Sequence, residues 1–472
     1  MSTADGRAQW NSDRGIEPVR LEERILGAFD LAVLWGDFGI GLLVLVTGAL
    51  LVPGLGFLPA LGAIVLGSVI GVGLLALAGM AGADHGIPTM VLFRPVLGAR
   101  GSWVPSVLNA LQLLGWTAVE LWAMSFVADF VTQREFGFSA RWLWLAIAAV
   151  FCTALALWGP LGVTRVWLER FGVWVVVAIS LAITILVLTS PHLGAALRAP
   201  GHGGFPTFGP ALDLVIAMPI SWLPLVADYN RFARGARAAF VGTSIGYLIA
   251  NVWLYALGAA LVLTQGAQPS PAGIAAGILA LAGGSIAGLL FLVGLLVGET
   301  DEAFADIYSG AVSLQNIFPD VPQRILAAAI AAVGTILAAW LTMERYENFL
   351  FLLGSIFVPL FGILIADYFL IRKRRIDLDQ LYRGDGGTYW FNSGFRLIVL
   401  LPWLAGFLTY HWILPTGPVS WVHEVMTVIG TPLSVRLPWL AASVPSFLVA
   451  FSLTLVVVRL SSRSSPAIRG GP

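Results

Sequence analysis

Residues 32–48 read AVLWGDFGIGLLVLVTG and residues 211–232 read ALDLVIAMPISWLPLVADYNRF, and these two apolar segments decide the fold. Each can cross a bilayer as a helix, yet each contains residues that weaken a helix near its middle. Those of the first segment are Gly36, Asp37, Gly39 and Gly41, and those of the second are Pro219 and Pro224. Within a membrane, backbone that leaves the helix survives only where protein buries it or where it lines a cavity. We therefore expect a binding site at these two breaks.

The whole chain has the composition of a membrane protein. Of its 472 residues, 58% are hydrophobic and 11% are charged, whereas about a quarter of a soluble domain is charged. Apolar stretches of about 20 residues, enough to span a bilayer, recur along the sequence. We predict an all-α polytopic protein with twelve transmembrane helices, at residues 28–51, 57–80, 103–128, 141–160, 170–190, 211–228, 239–264, 284–314, 323–341, 346–370, 393–413 and 436–458.

The two breaks occupy corresponding positions, in the first and the sixth predicted spans. A repeat unit of five spans reverses direction across the membrane, so spans one to five and six to ten are predicted to form inverted repeats. Two peripheral helices follow them. Paired discontinuous helices in inverted halves indicate a substrate and ion site near the membrane midplane of a secondary transporter. The alternative is that the glycines and prolines only kink their helices.

The positive charges predict the orientation. Residues 1–27 are polar, carry four Arg and lack the apolar core of a signal peptide. With this tail inside, 21 of the 26 Lys and Arg fall in cytoplasmic segments, as the positive-inside bias requires. We expect a bacterial inner-membrane protein with both termini in the cytoplasm. The predicted units are a tail at 1–27, a transport core at 28–370, a basic cytoplasmic loop at 371–392, two peripheral helices at 393–460 and a tail at 461–472.

Carboxylates inside spans are candidate functional groups, because each costs about 2.5 to 3.5 kcal/mol near the centre of a membrane helix. The eighth span reads LLVGETDEAFADIYSGAVS at 295–313 and carries four, Glu299, Asp301, Glu302 and Asp306. Helical spacing puts Glu299, Glu302 and Asp306 on one face, and directs Asp301 elsewhere. No Lys or Arg lies in the middle of a span, so these acids are protonated or bind an external cation. Alternatively, they sit in a water-filled vestibule or bond neighbouring helices.

A second polar stripe follows the third span at steps of three and four residues, and consists of Asn109, Gln112, Trp116 and Glu120. Trp222 lies between the two prolines of the sixth span. A flat heteroaromatic molecule between the indoles of Trp116 and Trp222 would gain stacking energy. A carboxyl such as that of Glu120 could then pair with ring N–H or exocyclic amino groups.

Other classes of function have weaker signals. The string GTSIG at 242–246 fits a hydrolase pattern, but it opens an apolar helical span without a preceding strand. A hydrolase built on Ser244 or on the acidic cluster would need a His or metal partner at membrane depth. The single cysteine, Cys152, excludes disulfides within the chain. A net charge of zero gives no sign of nucleic-acid binding. A channel is a third possibility, which unpaired acids beside broken helices fit less well than a closed site.

Several strings together resemble the nucleobase:cation symporter-1 family, whose members transport purines, cytosine, allantoin, hydantoins and thiamine precursors. The resemblance covers roughly residues 20–415. The strings that carry it are LFRPVLGARGS at 92–102, LGWTAVELW at 114–122, SWLPLVADYNRFAR at 221–234, ETDEAFADIYSGAVS at 299–313 and IADYFLIRKRRIDLDQLY at 365–382.

The resemblance implies the five-plus-five inverted-repeat fold of sodium-coupled amino-acid transporters, with two added helices. It also implies that the ligand stacks between Trp116 and Trp222. The family's third-span Gln and eighth-span Asn correspond here to Glu120 and Asp306, so two amides are replaced by carboxylates. An acid suits an amino-substituted pyrimidine better than a hydantoin. The family's sodium site implies carbonyls near Gly36 and Gly39, with Thr300 and Asp301 at the positions of eighth-span hydroxyls.

These observations predict a secondary transporter, not an enzyme. It would import a pyrimidine-type nucleobase, cytosine or a hydroxymethylpyrimidine-like thiamine precursor, together with a cation. A purine, allantoin, hydantoin or amino acid is the alternative substrate of the same fold. We expect Na⁺ or H⁺ as the coupling ion, no other cofactor or metal, a lipid bilayer, no nucleic acid and no obligatory protein partner. The predicted substrate residues are Trp116, Glu120, Trp222, Gln112, Asp306 and Ser221. The predicted cation residues are Asp301, Thr300, Gly36, Gly39 and Asp37.

Overall fold

The computed structural model describes residues 15–159, 162, 171–341 and 346–464, with side chains described as far as residue 460. Within these ranges the regular structure is helical, apart from two isolated β-bridges. The helices that build the bundle are numbered here α1 to α16. In order they are Ala28–Asp37, Leu42–Leu50, Phe57–His85, Trp103–Phe136, Arg141–Trp158, Val173–Leu188, Phe208–Ser221, Val226–Asn230, Ala236–Gln265, Pro271–Leu281, Ile286–Gln315, Gln323–Trp340, Tyr346–Ile365, Leu400–Ile413, Val419–Ile429 and Ser443–Ser464.

The first predicted span is broken. It consists of α1 and α2, which are inclined to each other by 63° across residues 38–41. The helix α2 then packs closely on α9, because two glycines remove the Cβ atoms that would separate the backbones. A Cβ on Gly48 would collide with the carbonyl of Tyr255, and one on Gly258 with the carbonyl of Leu45. Small residues at such crossings are typical of membrane helix pairs.

The sixth predicted span is interrupted at the expected place. Helix α7 ends at Ser221, a 3₁₀ turn covers Leu223–Leu225, and α8 starts at Val226. Pro224 lies in this turn and cannot donate a helical hydrogen bond. The interruption is milder than the first, since residues 208–230 keep the course of a single, wholly buried span.

The number of spans remains a prediction. In the described part of the chain, eight helices are long and apolar enough to cross a membrane, and the pair α1 and α2 makes a ninth. Three further predicted spans correspond to α6, α11 and the segment that contains α14. The described part of α6 and the segment 397–413 are shorter than 18 residues, and α11 carries four acids. Residues 163–170, where the fifth predicted span begins, lie outside the described ranges.

Two apolar helices were not predicted, α10 and α15, and the last predicted span starts at 443 instead of 436. Both helices have only 11 residues, so their hydropathy does not distinguish them from apolar loops. Residues 437–442 precede the last helix as an irregular segment that contains Pro438. Seven of the Arg used to predict the orientation, at 7, 14, 165, 170, 345, 463 and 469, lie in parts of the chain or side chains that are not described.

Helices α14 and α16 pack against α13 at the edge of the bundle. The start of α16 is tied to α7 by the carboxylate of Asp213. Its two oxygens accept hydrogen bonds from the backbone N–H groups of Ala442 (2.7 Å) and Ser443 (2.8 Å). This buried acid therefore joins the last helix to the interrupted sixth span.

The segment 15–26 closes one end of the bundle. The guanidinium of Arg231, only 2% exposed, donates to the carbonyl of Gly15 and to the hydroxyl of Tyr308. The hydroxyl of Tyr382 donates to the carbonyl of Ile16. The predicted tail at 1–27 is therefore packed against the bundle over its described part.

Candidate functional site

A small cavity lies where the interrupted span α7–α8 meets α4 and α11. Its walls contain five of the six predicted substrate residues, Trp116, Glu120, Ser221, Trp222 and Asp306. The remaining wall residues are Met218, Leu225 and Glu302. Small-molecule sites are typically concave, with apolar walls and a few convergent polar groups. The cavity has this character, although it is unusually rich in carboxyls.

The two indoles contribute differently to the cavity. One face of Trp222 is covered by Phe38 from the first break, with ring centroids 4.7 Å apart and planes inclined by 9°. Trp222 therefore has only its opposite face for a ligand. Trp116 is held edge-on by Tyr346 and Phe349. Its indole N–H is buried and has no hydrogen-bond partner among the described residues, so it is available to a ligand.

Three carboxyl groups line the cavity, from Glu120 on α4 and from Glu302 and Asp306 on α11. All three side chains are at most 4% exposed. One oxygen each of Glu120 and Glu302 lacks a hydrogen-bond partner in the described part of the chain. Burial of a polar atom without a partner is costly. These oxygens can therefore accept N–H groups from a ligand, or share a proton.

Gln112 supports the site from behind and is not a wall residue. Its amide donates to the carbonyl of Ser221 (2.9 Å) and to the side chain of Asn109 (2.8 Å). Asn109 in turn donates to the hydroxyl of Ser313 on α11 (2.7 Å). This chain of hydrogen bonds links three helices and satisfies a carbonyl freed by the break. Gln112 thus positions the backbone at Ser221, and its direct contact with the substrate stays a prediction.

The break in the first span faces the acids of α11. The N–H of Leu42, at the start of α2, donates to the carboxylate of Glu299 (2.5 Å). A Cβ built on Gly41 would lie 2.5 Å from an oxygen of Glu302 and 3.1 Å from one of Glu299. A side chain at this position would therefore require the carboxyl of Glu302 to move.

The predicted cation residues do not form one compact group of ligands. Asp37 lies beside Asp301. The hydroxyl of Thr300 donates within its own helix to the carbonyl of Val297 (2.6 Å). Gly36 and Gly39 pack against α9, at Gly246 and Ala250. The backbone of the break approaches α11 instead at the carbonyl of Ile40, 3.2 Å from a Cβ built on Gly298.

Sequence reasoning missed several residues of the site. Phe38 belongs to the first break, but no pattern indicates that it stacks on Trp222, because the contact joins residues 184 positions apart. Met218 and Leu225 resemble ordinary apolar residues of a span. Glu302 was recognised as a buried acid, and its place on the face of Asp306 was a usable signal for the cavity wall.

Comparisons with known proteins agree with this architecture. Residues 18–439 match the family model described as permease for cytosine/purines, uracil, thiamine and allantoin. The chain is 28% identical to the hydantoin permease of Microbacterium maritypicum over 395 residues, which cover 79% of each chain. It is 27% identical to the allantoin permease of Bacillus subtilis, over 84% of this chain and 86% of that one.

The fold is also that of a solved transporter. Mhp1, a nucleobase-cation-symport-1 family transporter in a closed conformation with bromovinylhydantoin bound, superposes with a TM-score of 0.81. The superposition covers 96% of both chains, at 24% sequence identity. This likeness confirms the predicted all-α transporter fold. Since the family model also spans most of the sequence, the chain belongs to the family of permeases for cytosine, purines, uracil, thiamine and allantoin, and is a multi-pass membrane protein.

Proposed function

We propose that this chain imports an amino-substituted pyrimidine, cytosine or a hydroxymethylpyrimidine-like thiamine precursor, by symport with a cation. The observation that carries the proposal is the cavity bounded by Trp116 and Trp222, with carboxyls from Glu120, Glu302 and Asp306 in its wall. An aromatic wall binds a planar ring by stacking. Carboxylates select rings that offer N–H donors.

The acids favour an amino group over a carbonyl on the ligand. An ionised carboxylate only accepts hydrogen bonds, whereas an amide side chain both donates and accepts. Cytosine offers an exocyclic amino group and a ring N–H, whereas a hydantoin also presents two carbonyl groups that need donors. The buried N–H of Trp116 is one such donor and suits the single carbonyl of cytosine.

The proposed cation binds where the first break meets α11. The predicted residues Asp301, Thr300, Gly36, Gly39 and Asp37 remain its proposed surroundings, with Na⁺ or H⁺ as the ion. Buried acids in a membrane span support coupling to a cation, because their charge has to be neutralised. The description of Mhp1 as a cation symporter supports the same reading. The proposed location is a bacterial inner membrane, with both termini in the cytoplasm.

Allantoin or a hydantoin is the second candidate substrate. It is favoured by the relatives described as hydantoin permease and allantoin permease. A membrane hydrolase has little support, because Ser244 lies within the long helix α9 and not on a strand-to-helix elbow. The members of the family are described as permeases.

Uptake by proteoliposomes tests the proposal. Purified protein is reconstituted, and labelled cytosine, hydroxymethylpyrimidine, uracil, adenine, allantoin and hydantoin are supplied under separate sodium and proton gradients. We expect accumulation of the amino-pyrimidines, and competition by the other compounds only at higher concentration. Preference for hydantoin or allantoin in the parent protein would refute the assignment.

A pair of variants makes the test specific for the acids. Glu120→Gln combined with Asp306→Asn introduces the amides that the family resemblance places here. We expect this double variant to lose affinity for cytosine and to gain affinity for hydantoin. Glu135→Gln is the matched control, since this exposed acid lies at the far end of the same helix α4. It should behave as the parent.

A further inference from the structure

Three glutamates from two helices meet at the start of α2. Glu299 accepts the N–H of Leu42, and Glu302 lies against Gly41. The carboxyl of Glu120 is a close neighbour of both, and Glu120 and Glu302 line the same cavity. All three residues are at most 4% exposed. We call Glu120, Glu299 and Glu302 the carboxyl triad.

The contacts within the triad require a proton. Two ionised carboxylates have no hydrogen to share and repel each other, so adjacent buried carboxyls hold a proton between them. None of the salt bridges among the described residues involves a triad member. Within the described ranges, the positively polarised group that contacts the triad is the backbone N–H of Leu42.

The start of α2 favours a proton over a metal ion at this place. The N-terminus of a helix carries a partial positive charge, which stabilises an anion and repels a cation. Here that charge points at Glu299, whose carboxylate it stabilises. Glu299 is therefore the ionised member, and Glu120 can donate a proton to it. A sodium ion beside Glu299 would be opposed by the same helix end.

The triad is open to the substrate cavity. Glu120 and Glu302 both line it, and each has one oxygen without a partner in the described part of the chain. The indole N–H of Trp116, another residue of the cavity wall, also lacks a hydrogen-bond partner among the described residues. Residues of the cavity wall thus carry partnerless polar atoms outside the acidic cluster as well as within it. A ligand at this position would touch the group that holds the proton.

Other titratable side chains surround the triad. On α11 itself Asp306 is near, and from neighbouring helices the groups are Asp37 on α1, Tyr247 on α9 and Tyr346 on α13. The tyrosines are neutral in the physiological range. Asp37 and Asp306 add negative charge when ionised, which further favours a proton in the triad.

We propose that the carboxyl triad of Glu120, Glu299 and Glu302 is the coupling site and that its ion is a proton. The inference rests on the proposed symport function, specifies its ion, and places that ion in the triad instead of beside Asp37 and Asp301. A hydronium ion at the open side gives its proton to a carboxylate oxygen of Glu120 and leaves as water. Substrate then donates its N–H groups to the carbonyl oxygen of the neutral Glu120 and to the carboxylates of the cavity wall that stay ionised. After the bundle opens on the other side, the proton passes to water there. Occupancy of the cavity and of the proton site are coupled because Glu120 belongs to both.

The first experiment needs no substrate. Infrared spectra of the reconstituted protein at pH 7 are recorded for the parent and for Glu120→Gln and Glu302→Gln. We expect each difference spectrum, parent minus variant, to contain the C=O stretch of a protonated carboxyl, shifted in D₂O. Glu135→Gln should remove only ionised carboxylate bands. If both triad variants also remove only ionised carboxylate bands, the proposal is wrong, whatever the protein transports.

The second experiment measures affinity for cytosine as a function of pH in sodium-free buffer, by quenching of tryptophan fluorescence. If binding takes up one proton, Kd in the parent rises about tenfold per pH unit above the midpoint of the titration. Glu302→Gln and Glu299→Gln should reduce this slope to near zero. Asp306→Asn, a cavity acid outside the triad, should weaken binding but keep the slope.

Asp301→Asn separates the triad from the acid pair Asp37–Asp301. We expect this variant to keep the pH dependence of Kd. If Asp301→Asn alone abolishes this dependence, the proton binds at the pair Asp37–Asp301 and the proposal is wrong. A flat profile in the parent, or a Kd that changes only with sodium, would also overturn it. If cytosine does not bind at any pH, the proposed substrate is wrong, and the infrared result still decides the triad.

Discussion

Replacing Trp222 by alanine should weaken substrate binding strongly. The indole is 6% exposed and lines the cavity with one face, while Phe38 covers the other at 4.7 Å. A base stacked on an aromatic side chain gains about 1 to 3 kcal/mol. Since every 1.4 kcal/mol is about tenfold in affinity, Kd should rise roughly 5- to 150-fold. Because the ligand stacks on the one open face of Trp222, we expect the rise in Kd to be larger for planar ligands than for non-planar ones.

The same substitution also affects folding, and the two effects must be separated. Removal of a buried tryptophan costs about 3 to 5 kcal/mol of stability, because Phe38 and the edge of Trp35 lose their partner. Trp222→Phe retains a ring that can stack on Phe38, so it should recover most of the stability and part of the affinity. Binding of cytosine is measured by isothermal calorimetry on monodisperse protein, after thermal unfolding of each variant. If Trp222→Ala binds within twofold of the parent, the indole only packs the core.

Three further substitutions or labels follow from the geometry. Gly41→Ala should reduce transport at least tenfold, because the new Cβ would lie 2.5 Å from an oxygen of Glu302. The control is Gly73→Ala, since Gly73 has open space around it. Equal uptake by the two variants would contradict the reasoning. Asp213→Ala should lower the unfolding temperature without changing affinity for cytosine, since it leaves two backbone N–H groups unpaired at about 1 to 3 kcal/mol each; an unchanged melting curve would show that the bond pair is not stabilising. A tag at residue 1 or 472 should be inaccessible from outside intact cells, and labelling by an impermeant reagent would reverse the predicted orientation.

Patterns along the chain were sufficient for the all-α class and for the positions of the two breaks. Glycine and proline positions locate both breaks, because their effect on a helix is local. Helical spacing also predicts correctly that Glu302 and Asp306 share a face of α11. The stripe of Asn109, Gln112, Trp116 and Glu120 is buried in the bundle as its spacing indicates.

The details of the site required the tertiary structure. The predicted sandwich of two indoles lacks one free face, because Phe38 arrives from a distant segment. Hydropathy does not identify α11 as a membrane span, because the same acids that mark this helix as functional lower its mean hydropathy. Contacts between Glu120 and the acids of α11 depend on how two helices rotate against each other, which periodicity within either helix does not specify.

Segment 15–26, which closes one end of the bundle, lowers the population of the form that is open at that end. To open at that end, the protein must break the bonds of Arg231 to Gly15 and of Tyr382 to Ile16. At about 0.5 to 1.5 kcal/mol each, these two bonds together lower the population of the open form roughly 5- to 150-fold. The binding energy of the substrate and its ion has to exceed this bias before the cycle can proceed. The segment before α1 therefore shifts the equilibrium between the closed and open forms. Its removal should increase the open population and the leak of substrate, and should leave the cavity unchanged.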